Sequence, residues 1–587
     1  ATSSGNITLN PSGNGVTANN TINGNSLTIT NGGPVDLNGA VTVPNGFSSA
    51  GTSFDNTGAT ITTTNTAIGI NHTGAVTVGA ALGAGNGAIT VVSTGSTISI
   101  NGALNGGTGA VSITSNTSTV SVSAPINVSS GAVSIDSVTG TTVSVAGDIT
   151  ATGAAPVYFG QTLAGALSTA GDVTTAGGPV RFYRAVTLTE NVTISTGAGD
   201  ITFDSTVNAD AVGNNRTLTL NSTGTTTLGG AVGNLAGQEL GSLATNAGGS
   251  TAINGGGVTT TGAQTYNDAV VLGADTTFTT TNAAIGFGST FDGGSHDVVI
   301  AGSVGTGPVT FSGNVTNLGT ATGPSFTVQA GQTGQVRFQG TVAGVSGFSF
   351  ADGTSVRFDG DVTLSGGDTG NSFLGNVVLD GLTFTSSQAV QFGNSAGLDQ
   401  VTLSTAGVVI STAGANQPVT FTSRVDGAQA LVVNAGSATT TFNGVVGGTT
   451  ALLSLTTDAG GTTQINGGEV ATSGAQTYND AVVLGTNVAL DAGAGNITLG
   501  GTVNGSFNLS LNSTGTTTFN GAVGGTTPLL SLTTDAGGTT QINGGEVATS
   551  GAQTYNDAVV LGADTTFTTT NAAIGFGSTF DGGSHDV

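Results

Sequence analysis

Apolar residues recur at every second position along most of this chain. Ile7 and Leu9 in NITL, Leu27 and Ile29 in SLTIT, and Val111 and Ile113 in GAVSI are each separated by one polar residue. Such alternation sorts side chains onto two faces, so each segment predicts a short β-strand with a single apolar face. Gly and Asn bound the segments, and both tolerate the backbone geometry of tight turns. The register is clearest where GAITV starts at Gly87 and GAVSI at Gly109 and Gly131, steps of 109 − 87 = 22 and 131 − 109 = 22. Ile98, Val120 and Val143 open strands between them. A strand is therefore expected about every 11 residues and a whole unit about every 22.

From about Pro156 the strands take the form V-x-F-x-x-x-V, as at Val180/Phe182/Val186, Val336/Phe338/Val342 and Val356/Phe358/Val362. Alternation turns Phe182, Phe338 and Phe358 inward and Arg181, Arg337 and Arg357 toward solvent. Arg184 shares the parity of Phe182, which predicts a bend before it. Residues 234–248 (NLAGQELGSLATNAG) tolerate helix and read as a loop or one irregular coil.

The chain also copies itself. GAQTYNDAVVLG occurs at Gly262, Gly474 and Gly551, and residues 262–298 match 551–587 letter for letter, 551 − 262 = 289 positions apart. Residues 439–485 match 516–562 with two differences, Val445 against Ala522 and Ala451 against Pro528, 516 − 439 = 77 apart. Four coils of about 19 residues fit that block, and duplication of whole coils explains it.

One-faced strands with no helix to cover them must bury that face against more β structure. In repeats this short, stacking each turn on the last pairs every strand with its counterpart about 4.8 Å away. The expected fold is all-β: a right-handed parallel β-helix, or β-solenoid, of ~19–22 residues per coil forming an elongated rod. Three stretches of one continuous rod are distinguished: 1–155 with regular ~22-residue coils, 156–438 with the V-x-F strands and the insertion near 234–248, and 439–587 with the 77-residue blocks. An array of β-sandwiches is the alternative, but its repeat would be about 90–100 residues and its cores usually hold a Trp, which is absent here.

Composition narrows the functional classes. The chain has 102 Gly and no Cys, and its six basic residues are all Arg against 31 acids, a net charge of −25. Disulfides and thiol chemistry are excluded, and so are isopeptide staples that need Lys. Such a charge repels phosphate backbones and argues against nucleic-acid partners. No run of about 18 apolar residues offers a membrane span. Val587 matches Val298, inside a repeat, which reads as a segment of a longer protein.

Candidate chemistry is sparse. Asp359 and Asp361 are two apart in what reads as a strand, hence on one face, where they could chelate a cation or act as an acid–base dyad. Asp292 and Asp297 bracket DGGSHD, a turn sequence that could hold Ca2+, and the string returns at Asp581 to Asp586. Solvated carboxylates and an ordinary turn are the plainer readings, so no catalytic or cofactor-binding residue is assigned and no cofactor beyond a possible Ca2+ is expected. Of the three histidines, His296 and His585 are one repeat position and His72 stands alone. Tyr266, Tyr478 and Tyr555 of QTYND read as half-buried stacking aromatics rather than a sugar platform, and the Asn-Asp pair as a turn or polar corner.

TTTFNGAVGG, LLSLTTDAGGTTQINGG and GAQTYNDAVVLGADTTF together resemble the repeat regions of filamentous-haemagglutinin-like and giant autotransporter-type β-strand-repeat exoproteins of Gram-negative bacteria, best over residues 161–587. The resemblance implies export through the outer membrane and service as a surface filament, biofilm fibre or adhesin. The expectation is a non-enzymatic extracellular fibre that assembles with itself. An adhesin stalk that carries a binding module elsewhere, with surface glycans or cells as partners, is the alternative. A polysaccharide-active β-helix enzyme is a more distant one.

Overall fold

Alternation becomes strand pairing throughout the structure, a computed structural model in which residues 2–140, 142–319, 323–366, 370–394 and 399–587 are described. Chain contacts divide it into two units, Ala1–Thr290 and Phe291–Val587. Each is a β-solenoid. Ile68–His72 pairs in parallel with Phe47–Gly51 on one side and Ile89–Ser93 on the other, residue over residue. The same relation holds from coil to coil within both units.

A coil has three strands: the 11-residue spacing alone picks out two, and a repeat of this length has room for two or three. In the first unit, Ile89–Ser93 is followed by Ile98–Ile100 and Leu104–Gly107 before the next coil opens at Val111. The third strand, LNGG, carries one large apolar residue and so left no alternation to read. Its corner shows why Gly is needed. Gly107 has φ +56°, and a Cβ there would lie 1.7 Å from the Gly85 carbonyl oxygen one coil away.

The inward positions form columns. In the first unit Val157, Val180 and Ile201 stack, and beside them the rings of Phe159, Phe182 and Phe203 lie near-parallel with centroids 4.5 and 4.7 Å apart. In the second unit Phe338 stacks on Phe311 at 4.9 Å and on Phe358 at 5.1 Å. The ring spacing matches the strand spacing because each ring rides on its own strand. Outward positions form polar columns, including amide ladders from Asn127 Nδ2 to Asn105 Oδ1 (3.0 Å) and from Asn466 Nδ2 to Asn443 Oδ1 (2.7 Å).

The 77-residue block is not a whole number of coils. Leu455, Gln476 and Ile497 are consecutive members of one column, 476 − 455 = 21 and 497 − 476 = 21 residues apart, so the block spans 77 ÷ 21 ≈ 3⅔ coils. Thr440 accordingly lies between Val419 and Thr463 in one sheet, whereas its copy Thr517 lies on Ile497 in another. Near-identical text 77 residues apart occupies different faces, which overturns the reading of four 19-residue coils and, for that block, of duplication by whole coils; the text copied 289 residues apart keeps its sheet, at Gln264 and at Gln553. Each face demands the same inward–outward alternation, so a copied segment fits any of them.

Two local expectations need similar adjustment. Within 234–248 only the first part is irregular, with Leu235 half exposed. Ser242–Thr245 is a regular strand between Thr217–Ser222 and Gln264–Tyr266. The one helical turn among the described residues is Gly302–Val304, elsewhere. Arg184 does sit in a bend, as its parity required.

Candidate functional site

The most elaborate polar arrangement belongs to the repeated QTYND. Gln264 and Tyr266 share the inward parity and are fully buried. Gln264 Nε2 donates to the carbonyls of Val258 (3.0 Å) and Thr279 (2.8 Å), and the Tyr266 hydroxyl donates to Gln264 Oε1 (3.1 Å). Asn267 Nδ2 donates to the Thr245 carbonyl one coil back (2.8 Å), and Asp268 accepts from the hydroxyls of Thr245 and Thr251 (2.5 and 2.9 Å). The copies at Gln476–Asp480 and Gln553–Asp557 repeat the network on their own coils. These tyrosines are therefore buried, not half-buried, while the Asn-Asp pair does turn the chain between the strands Gln264–Tyr266 and Ala269–Leu272, with Asp268 buried at that corner. Burial drives the Tyr hydroxyls far above their ordinary titration range. Burial also raises Asp480, with Thr463 and Thr457 partly opposing it.

Asp359 and Asp361 do not share a strand. The strand Ser355–Phe358 ends before them and Gly360 bends the chain between them. Asp359 receives Arg337 Nε at 2.6 Å and Arg357 Nε at 2.5 Å, from guanidiniums stacked in adjacent coils. Arg357 also reaches Asp380, whose carboxyl is held below its ordinary value by the Thr405 hydroxyl first and the two arginines after it. Asp361 Oδ1 instead accepts the Thr383 backbone N–H (2.8 Å) and caps the next coil. The dyad geometry is thus replaced by an ion-pair ladder and a separate cap.

Asp292 Oδ1 accepts from the Gly294 N–H (2.9 Å) and from Asn317 Nδ2 (3.2 Å). DGGSHD is a bulged strand end, Phe291–His296, with Gly294 and Ser295 at φ +55° and +69°, and Asp297 follows it. Its copy Asp581 accepts from the Gly583 N–H (2.8 Å). No cluster of three or more His, Cys, Asp or Glu side chains occurs among the described residues.

His72 has no counterpart in the repeated text. It is fully buried, its Nε2 lies 3.0 Å from Ser49 Oγ, and Phe54 packs on its ring. Desolvation lowers its pKa from 6.5 to about 4, with the Ser53 backbone opposing. Parity could have placed it, since Ile68, Ile70 and His72 all point inward. Also in the first unit, a groove of about 490 Å³ runs over Thr62, Gly83, Asn105, Asn127 and Thr150, with no ionisable side chain in its lining.

No protein-family model, no curated protein and no solved structure matches the chain.

Proposed function

We propose that this chain is a non-enzymatic β-solenoid segment of an extracellular fibre or surface filament, of the filamentous-haemagglutinin-like type, exported through the outer membrane and assembling with copies of itself. One observation carries the reading: the longest copied text recurs on different faces. A block that shifts by 3⅔ coils cannot present a repeated binding surface on one side, so what its copying preserves is coil construction. The acidic residues support the same view. Asp458 accepts backbone N–H groups of Ala435 and Gly436, and Asp426 those of Thr449 and Thr450, each closing a neighbouring coil.

Electron microscopy of the purified protein over a rising concentration series tests the proposal. Filaments that lengthen with concentration are expected. Single particles at every concentration, or cleavage of a polysaccharide substrate by the purified chain, would overturn it. The text resemblance also supports a second reading as an adhesin stalk. That reading expects cell binding by a longer form of the protein and none by this segment.

A further inference from the structure

Five tyrosines occur in the chain, and three of them are the buried residues of QTYND. The other two, Tyr158 and Tyr183, both lie on the outside and they meet. Tyr158 sits at an outward position of the strand Val157–Phe159, directly paired with Arg181 of the next coil, and Tyr183 has the outward parity of Arg181. The two rings stand edge to face with centroids 5.9 Å apart, and the Arg181 guanidinium carbon lies 4.6 Å from the Tyr183 ring centre. Arg181 Nε donates to both carboxylate oxygens of Asp204 (3.2 and 3.0 Å), leaving its two terminal nitrogens as further donors beside an acceptor. The Arg181 and Asp204 side chains are 45% and 27% exposed, and Arg184 is exposed in the bend just beyond.

The cluster lies outside the duplicated text. Its elements come from strands without a duplicate, and the outward column containing it reads Ser134, Tyr158, Arg181, Thr202. Both rings are half-buried on the outer face, and the core does not need them, since the inward neighbours Phe159 and Phe182 already fill it. Aromatic faces next to a few fixed polar groups make up a small-ligand subsite. A pyranose matches both halves: its C–H face lies on an aromatic ring, and its vicinal hydroxyls need a donor and an acceptor side by side. A net charge of −25 disfavours long polyanions.

We infer that Tyr158, Tyr183, Arg181 and Asp204 form a binding subsite for a neutral hexopyranose of a glycan chain. The site lies on the solenoid wall and does not depend on filament formation. Titration of the intact protein with neutral gluco- and galacto-oligosaccharides, followed by ligand-observed NMR and calorimetry, tests it. Saturating binding is expected, weakened at least tenfold by Tyr158→Ala and by Asp204→Asn, and retained by Tyr158→Phe, which keeps the ring. Arg424→Gln, at an exposed arginine on other coils, should leave it unchanged. Unaltered circular dichroism separates a lost site from a lost fold. Absence of binding, equal binding by Tyr158→Ala, or a preference for uronate oligomers over neutral ones would each overturn the assignment.

Discussion

Acid should loosen the first unit at one identifiable place. His72 is fully buried and neutral, and its folded pKa is about 4 against 6.5 when unfolded. Below pH 6.5 the unfolded chain takes up a proton that the folded chain refuses, so stability falls as pH drops from 6.5 toward about 4 and levels off beneath it. The gap of 6.5 − 4 = 2.5 corresponds to about 3 kcal/mol at one unit per 1.36 kcal/mol. The control is supplied by the chain itself. His72 stacks on Ser93, and the same column continues through Ser115 and Ser137. His72→Ser therefore replaces it with the residue that its neighbours use and removes the titration. The assay is amide hydrogen exchange of strands Phe47–Gly51, Ile68–His72 and Ile89–Ser93 across that pH range, because opening in a stacked array is local. Corrected for intrinsic exchange, the native strands should lose about 3 kcal/mol of protection relative to His72→Ser on acidification. Equal pH dependence in both proteins would show that His72 is not held neutral.

Three further outcomes follow from the same geometry. Phe338→Ala removes a ring in contact with Phe311, Phe326, Phe348 and Phe358 and should cost about 3–5 kcal/mol in denaturant unfolding, felt mainly in the adjoining coils. Asp480 has a folded pKa above its ordinary 3.8, so its neutral form contributes stability below that value and the contribution is lost as pH rises through the folded pKa. Asp480→Asn should escape that loss and gain on the parent protein between acidic and neutral pH, as read from paired melting curves. Gly107→Ala forces a side chain into positive φ against the Gly85 carbonyl and should destabilise its coil by roughly 2 kcal/mol or more in the same assay.

The fold was legible because alternation is a physical requirement of a one-faced strand, and Val180/Phe182 and Val356/Phe358 obey it. The third strand of each coil was not, because LNGG at Leu104 has too few apolar side chains to alternate. QTYND misled for a related reason. Parity that turns Tyr266 inward also turns Gln264 and Asp268 inward, and a polar residue reads as exposed unless its partners are known. Those partners, the Val258 and Thr279 carbonyls and the Thr245 hydroxyl, come from elsewhere in the coil or from the neighbouring coils, where sequence spacing gives no hint of contact. Asp359 and Asp361 looked like a pair for the opposite reason: adjacency in text hid the bend at Gly360, the nearby Arg357 and the Arg337 waiting one coil back.

In-register stacking, with the copied block displaced by 3⅔ coils, defines this solenoid. A chain without Cys allows a direct test, because paired cysteines report only designed contacts. Thr498 and Thr518 are outward register partners in adjacent coils, at a strand spacing of about 4.8 Å that a disulfide can span. Thr498→Cys with Thr518→Cys should cross-link under mild oxidation, as should Thr420→Cys with Thr441→Cys at the equivalent text of the first block. No cross-link at 498–518, with Leu499→Cys joining Thr518→Cys instead, would restore the 19-residue coil and contradict the register described here.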